Sequence, residues 1–186
     1  MVNKQIIAEA IAEAERATSA EIVAVVSPAS DAYRSYILLY GLMLGSLIAI
    51  GLWVEKLVTD FPLLLAVQLG VMALLSLLPW LHKPLVRLVP KHIRHRRAAH
   101  RAFEEYLFVS RHVSAATPIL LFYVSLAERY VYILPSRLVR EKIPDKEWDA
   151  VVAEFTALTK TVGLERACVN AIRRMAAMLA PYFPPH

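Results

Sequence analysis

Residues 35–54 read SYILLYGLMLGSLIAIGLWV, a run of 20 residues without a charged side chain. Residues 62–81 read PLLLAVQLGVMALLSLLPWL, a second such run in which Gln68 is the only strongly polar side chain. As an α-helix, each run would extend about 30 Å, the thickness of the hydrocarbon core of a bilayer. A chain of 186 residues is too small to bury two such helices on every side. The runs therefore predict a transmembrane helical hairpin rather than a pair of core helices.

The composition points the same way. Apolar residues make up 58% of the chain and charged residues 20%, against about 45–50% and about 25% in typical soluble domains. This much apolar surface excludes a disordered chain. The single cysteine, Cys168, excludes a disulfide-rich scaffold and is predicted to be a buried structural thiol rather than a nucleophile.

Lysine and arginine flank the two runs unequally. The segment 55–61 holds one such residue and the segment 82–101 holds seven. By the positive-inside rule, this bias predicts a multi-pass membrane protein with both termini in the cytoplasm and the short loop outside.

The basic segment 83–96 is interpreted as a juxtamembrane segment that contacts anionic lipid headgroups, where each cation gains about 1 kcal/mol. Nucleic acid is not expected as a partner, because no aromatic side chains interleave the cations as a stacking platform. Histidines are also present in this part of the chain, but the neighbouring arginines would repel a metal ion. The predicted headgroup contacts are Lys83, Arg87, Lys91, Arg94, Arg96 and Arg97.

Small residues recur every fourth position within the runs. This spacing forms a groove that lets a second helix approach closely. The predicted partner is the other helix of the hairpin, and a homodimer is the alternative. The predicted packing residues are Gly41, Gly45 and Ala49 in the first run and Ala66 and Gly70 in the second.

The remaining sequence predicts helices and three strands. Residues 21–27 (EIVAVVS) are short and β-branched, as are residues 119–125, and residues 130–134 alternate as a third strand. A lone strand at 21–27 would leave its backbone unpaired, so it is predicted to pair with the later two. Two membrane crossings would return the chain to the same side. The prediction is one α/β sandwich with a small mixed sheet, built from 1–33 and 97–186, with the hairpin 34–82 and the basic segment 83–96 inserted.

Several of these stretches resemble the TPM-domain family and its two-span bacterial membrane branch. The resemblance is carried by TSAEIVAVV at 18–26 and LLFYVSLAERYV at 120–131, and also by Ile143-Pro144, Trp148 and the ending YFPPH. It implies an α/β sandwich with a small mixed sheet. Some members are weak acid phosphatases, some bind divalent cations, and some act in the maintenance of membrane complexes.

The chain departs from the family pattern at two acidic positions. Many members carry Asp-Asn-Gly before the second strand, where this chain has AATP at 115–118. The membrane branch often has an acidic residue after the third strand, where this chain has Pro135-Ser136. A tentative pocket remains at Asp31, Glu128 and Arg129. From the residues alone, Glu128 and Arg129 are read first as a solvated turn or an ion pair, and Asp31 as a marker of the membrane interface.

The expected function is that of an integral membrane protein with a cytoplasmic TPM-like module. The module would bind or organise a partner, which is a membrane protein, a second copy or lipid. The alternative is a weak metal-dependent acid phosphatase. Whether the chain is an enzyme stays open, and no catalytic residue, metal ligand or cofactor is assigned. Calcium or magnesium is implied as a ligand only by the resemblance. A hard cation needs several oxygen ligands, and this chain lacks acidic residues at the two positions named above.

Overall fold

A computed structural model describes residues 4–31, 33–78, 85–114 and 116–185. The chain divides into two compact units, one formed by Met1–Ser30 with His95–His186 and the other by Asp31–Arg94. The strands are β1 (Glu21–Ser27), β2 (Ile119–Ser125) and β3 (Tyr130–Pro135). The helices are α1 (Lys4–Ala17), α2 (Arg34–Val54), α3 (Phe61–Leu77), α4 (Lys91–His112), α5 (Arg137–Arg140), α6 (Asp145–Thr161) and α7 (Leu164–Leu179). Residues 85–88 form one further helical turn.

The sheet is mixed and has the order β1-β2-β3. β1 pairs with β2 in parallel, from Glu21 opposite Ile119 to Ser27 opposite Ser125. β2 pairs with β3 as an antiparallel hairpin. The predicted pairing of the early strand with the later hairpin is therefore confirmed, and so is a small mixed sheet in an α/β fold. β2 is buried along its whole length because it lies between the other two strands.

Helices cover both faces of this sheet. On one face, β2 contributes Leu120, Phe122 and Val124 to a core that also holds apolar residues of α1, α6 and α7. The Phe122 and Phe155 rings meet edge to face, with centroids 5.3 Å apart. On the other face, Leu121 and Tyr123 pack with Ala102 of α4. The alternation of β2 side chains thus gives three layers, as predicted for a sandwich.

The second unit contains the apolar hairpin of α2 and α3. α2 buries Ile37, Gly41, Gly45 and Ala49, at the spacing of one helical face. This face meets α3, since a Cβ atom at Gly45 would lie 2.8 Å from the carbonyl oxygen of Gln68. The amide of Gln68 also donates to the Ser46 hydroxyl over 2.8 Å. The two helices therefore pack closely and antiparallel.

Three boundaries differ from the predictions. α4 begins at Lys91, so most of the predicted juxtamembrane segment is helical, and Pro90 accepts hydrogen bonds from the backbone of Ile93 and Arg94 at 3.1 and 3.2 Å. α3 ends at Leu77, short of the predicted end at 81, and residues 79–81 lie outside the described residues. The compact units divide at 30 and 94 rather than at 33 and 96.

Candidate functional site

The carboxyl ends of β1 and β2 lie side by side because the two strands are parallel. In open α/β sheets, this is the end at which ligand sites form. The β2–β3 turn folds over it, since the backbone NH of Leu126 donates to Ser27 O and that of Ala127 donates to Pro28 O, both over 3.0 Å. The turn and the segment after β1 are thereby joined.

Glu128 lies inside this junction and is only 2% exposed. Its two carboxylate oxygens accept from the backbone NH of Ser30 at 3.2 and 3.1 Å. One of them also accepts a short hydrogen bond from the hydroxyl of Ser125. A buried charge is tolerated when it is hydrogen-bonded in this way. The carboxylate therefore holds the segment after β1 against the end of β2.

The hydroxyl groups around Glu128 form a directed chain. Ser30 Oγ donates to Ser125 Oγ over 2.8 Å, and Ser125 donates to Glu128. Each serine hydroxyl has one hydrogen. The 2.9 Å contact between Ser30 Oγ and Tyr123 OH is therefore a bond donated by the tyrosine. The order is Tyr123 to Ser30 to Ser125 to Glu128, with the carboxylate as final acceptor.

Among the residues of this hydrogen-bond network, Ser30 is the one that solvent can reach. Tyr123 and Ser125 are buried, whereas Ser30 is partly exposed. In the part of the chain that the structure describes, no group of three or more His, Cys, Asp or Glu side chains is arranged to hold a metal ion.

The tentative pocket is altered by the structure. Glu128 is not a solvated turn residue, because the hairpin folds it inward. Arg129 occupies the left-handed region at the turn, with φ of 51°. Asp31 belongs to the other compact unit, where its carboxylate accepts from the backbone NH of Tyr33 over 3.0 Å.

Sequence reasoning missed Ser30, Tyr123 and Ser125 as partners of Glu128. One signal was available, since Tyr123 and Ser125 are two apart on a strand and so face the same side. The position of Ser30 depends on where the chain turns after Pro28, and that turn has no pattern of its own.

Two further ionisable groups belong to the packed domain. Cys168 is fully buried, and burial, followed by the nearby Glu165, raises the pKa of its thiol to about 11. The thiol is therefore protonated at neutral pH, which suits the predicted buried structural thiol. Burial, followed by the charge of Tyr132, also raises the pKa of Tyr130.

The predicted headgroup contacts are distributed over two helical segments. Arg87 is exposed in the turn 85–88, and Lys91 and Arg96 are exposed on α4. Arg94 and Arg97 are partly buried. Lys83 lies outside the described residues.

The predicted small-residue positions separate into two groups. Gly41, Gly45 and Ala49 are buried on α2. Ala66 and Gly70 are exposed on α3, and no described atom lies within 4 Å of a Cβ built at Gly70. α3 therefore does not pack on α2 through them, contrary to the spacing argument.

The rest of the hairpin surface is apolar and outward-facing. Among the described residues, α2 is the one helix that is both long and apolar enough to cross a bilayer, and α3 is a shorter apolar helix of 17 residues. Large exposed side chains cover both helices, including Leu47 at 67% and Leu77 at 76% exposure.

Comparison with known proteins adds support for the fold. No protein-family model and no curated protein matches the chain. A similar solved structure is the NMR structure of the BA42 protein from the psychrophilic bacterium Bizionia argentinensis. It aligns with a TM-score of 0.58 and 14% sequence identity, over 100% of this chain and 86% of that one. At this identity, the similarity supports the α/β fold alone.

Proposed function

We propose that the chain is an integral membrane protein whose α/β domain binds or organises a partner at the cytoplasmic surface of a bacterial inner membrane. The observation that carries the proposal is the apolar, outward-facing surface of α2 and α3. In water, an exposed apolar surface of this size would be a strong drive to association. In lipid, it is the ordinary surface of a spanning helix, whose backbone bonds are satisfied internally.

The lengths of the two helices fit this role. α2 has 21 residues and α3 has 17, and a spanning helix needs about 17–25. A segment at the short end of this range is accommodated by local thinning of the bilayer. The basic flank after α3 would then lie on the cytoplasmic side.

Binding is favoured over catalysis because the carboxylate of the network, that of Glu128, already has its hydrogen-bonding positions occupied within the protein. Both oxygens of Glu128 are already held by Ser30 and Ser125. The resemblance to the TPM family agrees with a partner-binding module, since some of its members act in the maintenance of membrane complexes.

Cysteine accessibility tests the membrane arrangement. Thr59 lies exposed in the loop between α2 and α3, and Ala157 is exposed on α6. In the full chain, a membrane-impermeant maleimide should label Thr59→Cys in intact spheroplasts, and Ala157→Cys only after permeabilisation. Cys168 is buried, so the unmodified chain is the unlabelled control. Equal labelling of both variants before permeabilisation, or release of the chain by alkaline carbonate, would refute the proposal.

A second candidate is a weak phosphomonoesterase, favoured by the partly exposed residue Ser30, whose hydroxyl is linked through Ser125 to a buried carboxylate. In this reaction, Ser30 Oγ would attack phosphorus as the ester P–O bond breaks and the alcohol leaves, while the serine proton passes through Ser125 to Glu128. Water would then hydrolyse the phosphoserine to inorganic phosphate and restore the Ser30 hydroxyl. Hydrolysis of p-nitrophenyl phosphate by the full chain, with and without magnesium, tests it. Activity that Ser30→Ala and Glu128→Gln both abolish, with Ser114→Ala as the control, would replace the first proposal for this site.

A further inference from the structure

α4 carries an outer stripe opposite its buried face. The helix packs on the sheet through Ala98 and Ala102, both fully buried. At about 100° per residue, five exposed side chains fall within one narrow arc on the other side. This outer stripe consists of Arg96, His100, Phe103, Leu107 and Arg111.

The apolar part of the outer stripe is large for a water-facing helix. Phe103 is 48% exposed and Leu107 is 39% exposed, and the neighbouring Phe108 is 64% exposed. Contiguous exposed apolar side chains rimmed by polar ones mark an interaction surface. Phe103 also lines a groove of about 480 Å³ with Leu134, and Arg137, Arg140 and Glu141 border that groove.

The charges of the helix select the partner. α4 contains six lysines and arginines and two glutamates. Both glutamates are engaged by Arg101, at 3.0 Å to Glu104 and 2.9 Å to Glu105. The outer stripe itself carries two arginines, and the adjacent Glu104 is paired with Arg101 and also lies 3.4 Å from the His100 ring of the stripe. Helices that lie in the interface of an anionic bilayer combine an apolar surface of phenylalanine and leucine with lysine and arginine on their polar surface. In the outer stripe, the arginines lie at the two ends of the apolar row.

We infer that the outer stripe of α4 docks on the surface of an anionic phospholipid bilayer, with Phe103, Leu107 and Phe108 at the level of the headgroups. This inference rests on the proposed function, because an anchored chain stays tethered to the bilayer. It also deepens that function by naming the partner, anionic phospholipid, and the surface that receives it. The arginines at either end of the stripe attract the headgroups, and the apolar centre provides the buried area.

An environment-sensitive fluorophore at position 100 tests the inference. His100→Cys of the full chain is labelled with NBD, which the buried Cys168 does not take up. The chain is reconstituted in vesicles of phosphatidylcholine alone or with phosphatidylglycerol. We expect a blue-shifted, brighter emission in the vesicles that contain phosphatidylglycerol. The same label at Ala157→Cys, on an exposed face of α6, should report water in both.

Two sets of substitutions then separate the contributions. Phe103→Ser with Phe108→Ser should abolish the blue shift. Arg96→Gln with Arg111→Gln should lower the ratio of docked to undocked probe roughly 30-fold, as expected for two cations near an anionic surface at about 1 kcal/mol each. All of the substituted side chains are exposed, and the circular dichroism spectrum checks that each variant folds.

Vesicle flotation distinguishes the possible failures. A chain that floats but keeps a water-like emission in both lipids overturns the docking inference and leaves the anchor intact. A chain that does not float overturns both. A blue shift that appears in detergent and disappears on dilution assigns the outer stripe to a second copy of the chain, and this also overturns the inference.

Discussion

The closest backbone approach in the hairpin gives a sharp prediction. A Cβ atom at Gly45 would lie 2.8 Å from Gln68 O and 3.1 Å from its Cα. Ordinary contact would need the helices to separate by about 0.6 Å, and a gap of that size forfeits about a quarter to a half of the dispersion energy at each contact. Overpacking of this kind costs about 1–3 kcal/mol.

Gly51 on the same helix is the matched control. No described atom lies within 4 Å of a Cβ built there. Both Gly45→Ala and Gly51→Ala gain the same helix propensity, about 1 kcal/mol in water. The difference between the two variants therefore isolates the packing cost, and we expect Gly45→Ala to be less stable than Gly51→Ala by about 1–3 kcal/mol. Gly41→Ala should fall between them, since its Cβ would lie 3.0 Å from Met72 Cα.

Reversible unfolding of the full chain in mixed micelles, followed by circular dichroism during titration with dodecyl sulfate, measures these differences. Equal stability of the Gly45 and Gly51 variants would refute the close packing of α2 on α3. A destabilisation that depends on protein concentration would place the partner helix in a second chain.

Three further predictions concern the α/β domain and use the free energy of unfolding in detergent. Glu128→Ala should cost about 2–3 kcal/mol, because it leaves a buried hydroxyl and a backbone NH without their acceptor; Glu141→Ala, in an exposed ion pair, should cost less than about 1 kcal/mol. The pKa of the Cys168 thiol is raised from 9.0 to about 11 in the folded state. The contribution of the buried, protonated thiol to the free energy of unfolding is therefore fully present below pH 9 and is lost as the pH rises to about 11. Over that interval, the unmodified chain should lose roughly 3 kcal/mol more than Cys168→Ala, and parallel pH curves would contradict the burial of the thiol. Phe155→Ala should cost about 3–5 kcal/mol because it empties the core beside β2, whereas Tyr182→Ala, at an exposed position, should change stability by less than about 0.5 kcal/mol.

The strands could be predicted because their signals are local. EIVAVVS at 21–27 is short and β-branched, and the observed β1 has the same bounds. Its pairing with β2 followed from the need to satisfy its backbone, a requirement that holds in any fold. The layers followed from the alternation along β2.

The helical state of most of the basic segment 83–96 was not predicted, because apolar periodicity is the main sequence signal for a helix. The first turns of α4 carry mostly cations and no apolar stripe, although Pro90 was a signal for a helix beginning at Lys91. The unequal numbers of lysines and arginines in the flanking segments indicate where a helix lies relative to lipid, but they do not show where the helix begins.

The polar network could not be predicted because it depends on long-range placement. Ser30 meets Glu128 only once β1, β2 and the β2–β3 turn are in register. The same limit explains why the predicted packing of Gly70 against α2 was wrong. A spacing of four residues identifies a groove but does not identify which side of the helix is covered.

The parallel pairing of β1 with β2 has a consequence for synthesis of the chain. β1 leaves the ribosome while its neighbour is still roughly 100 residues away, a delay of about 5–20 s at ordinary elongation rates. During this interval, the apolar strand has no strand to pair with, and the most hydrophobic part of the chain emerges behind it. Nascent molecules of this length would depend on a holding chaperone, and slowing translation downstream of Ser27 should increase their aggregation.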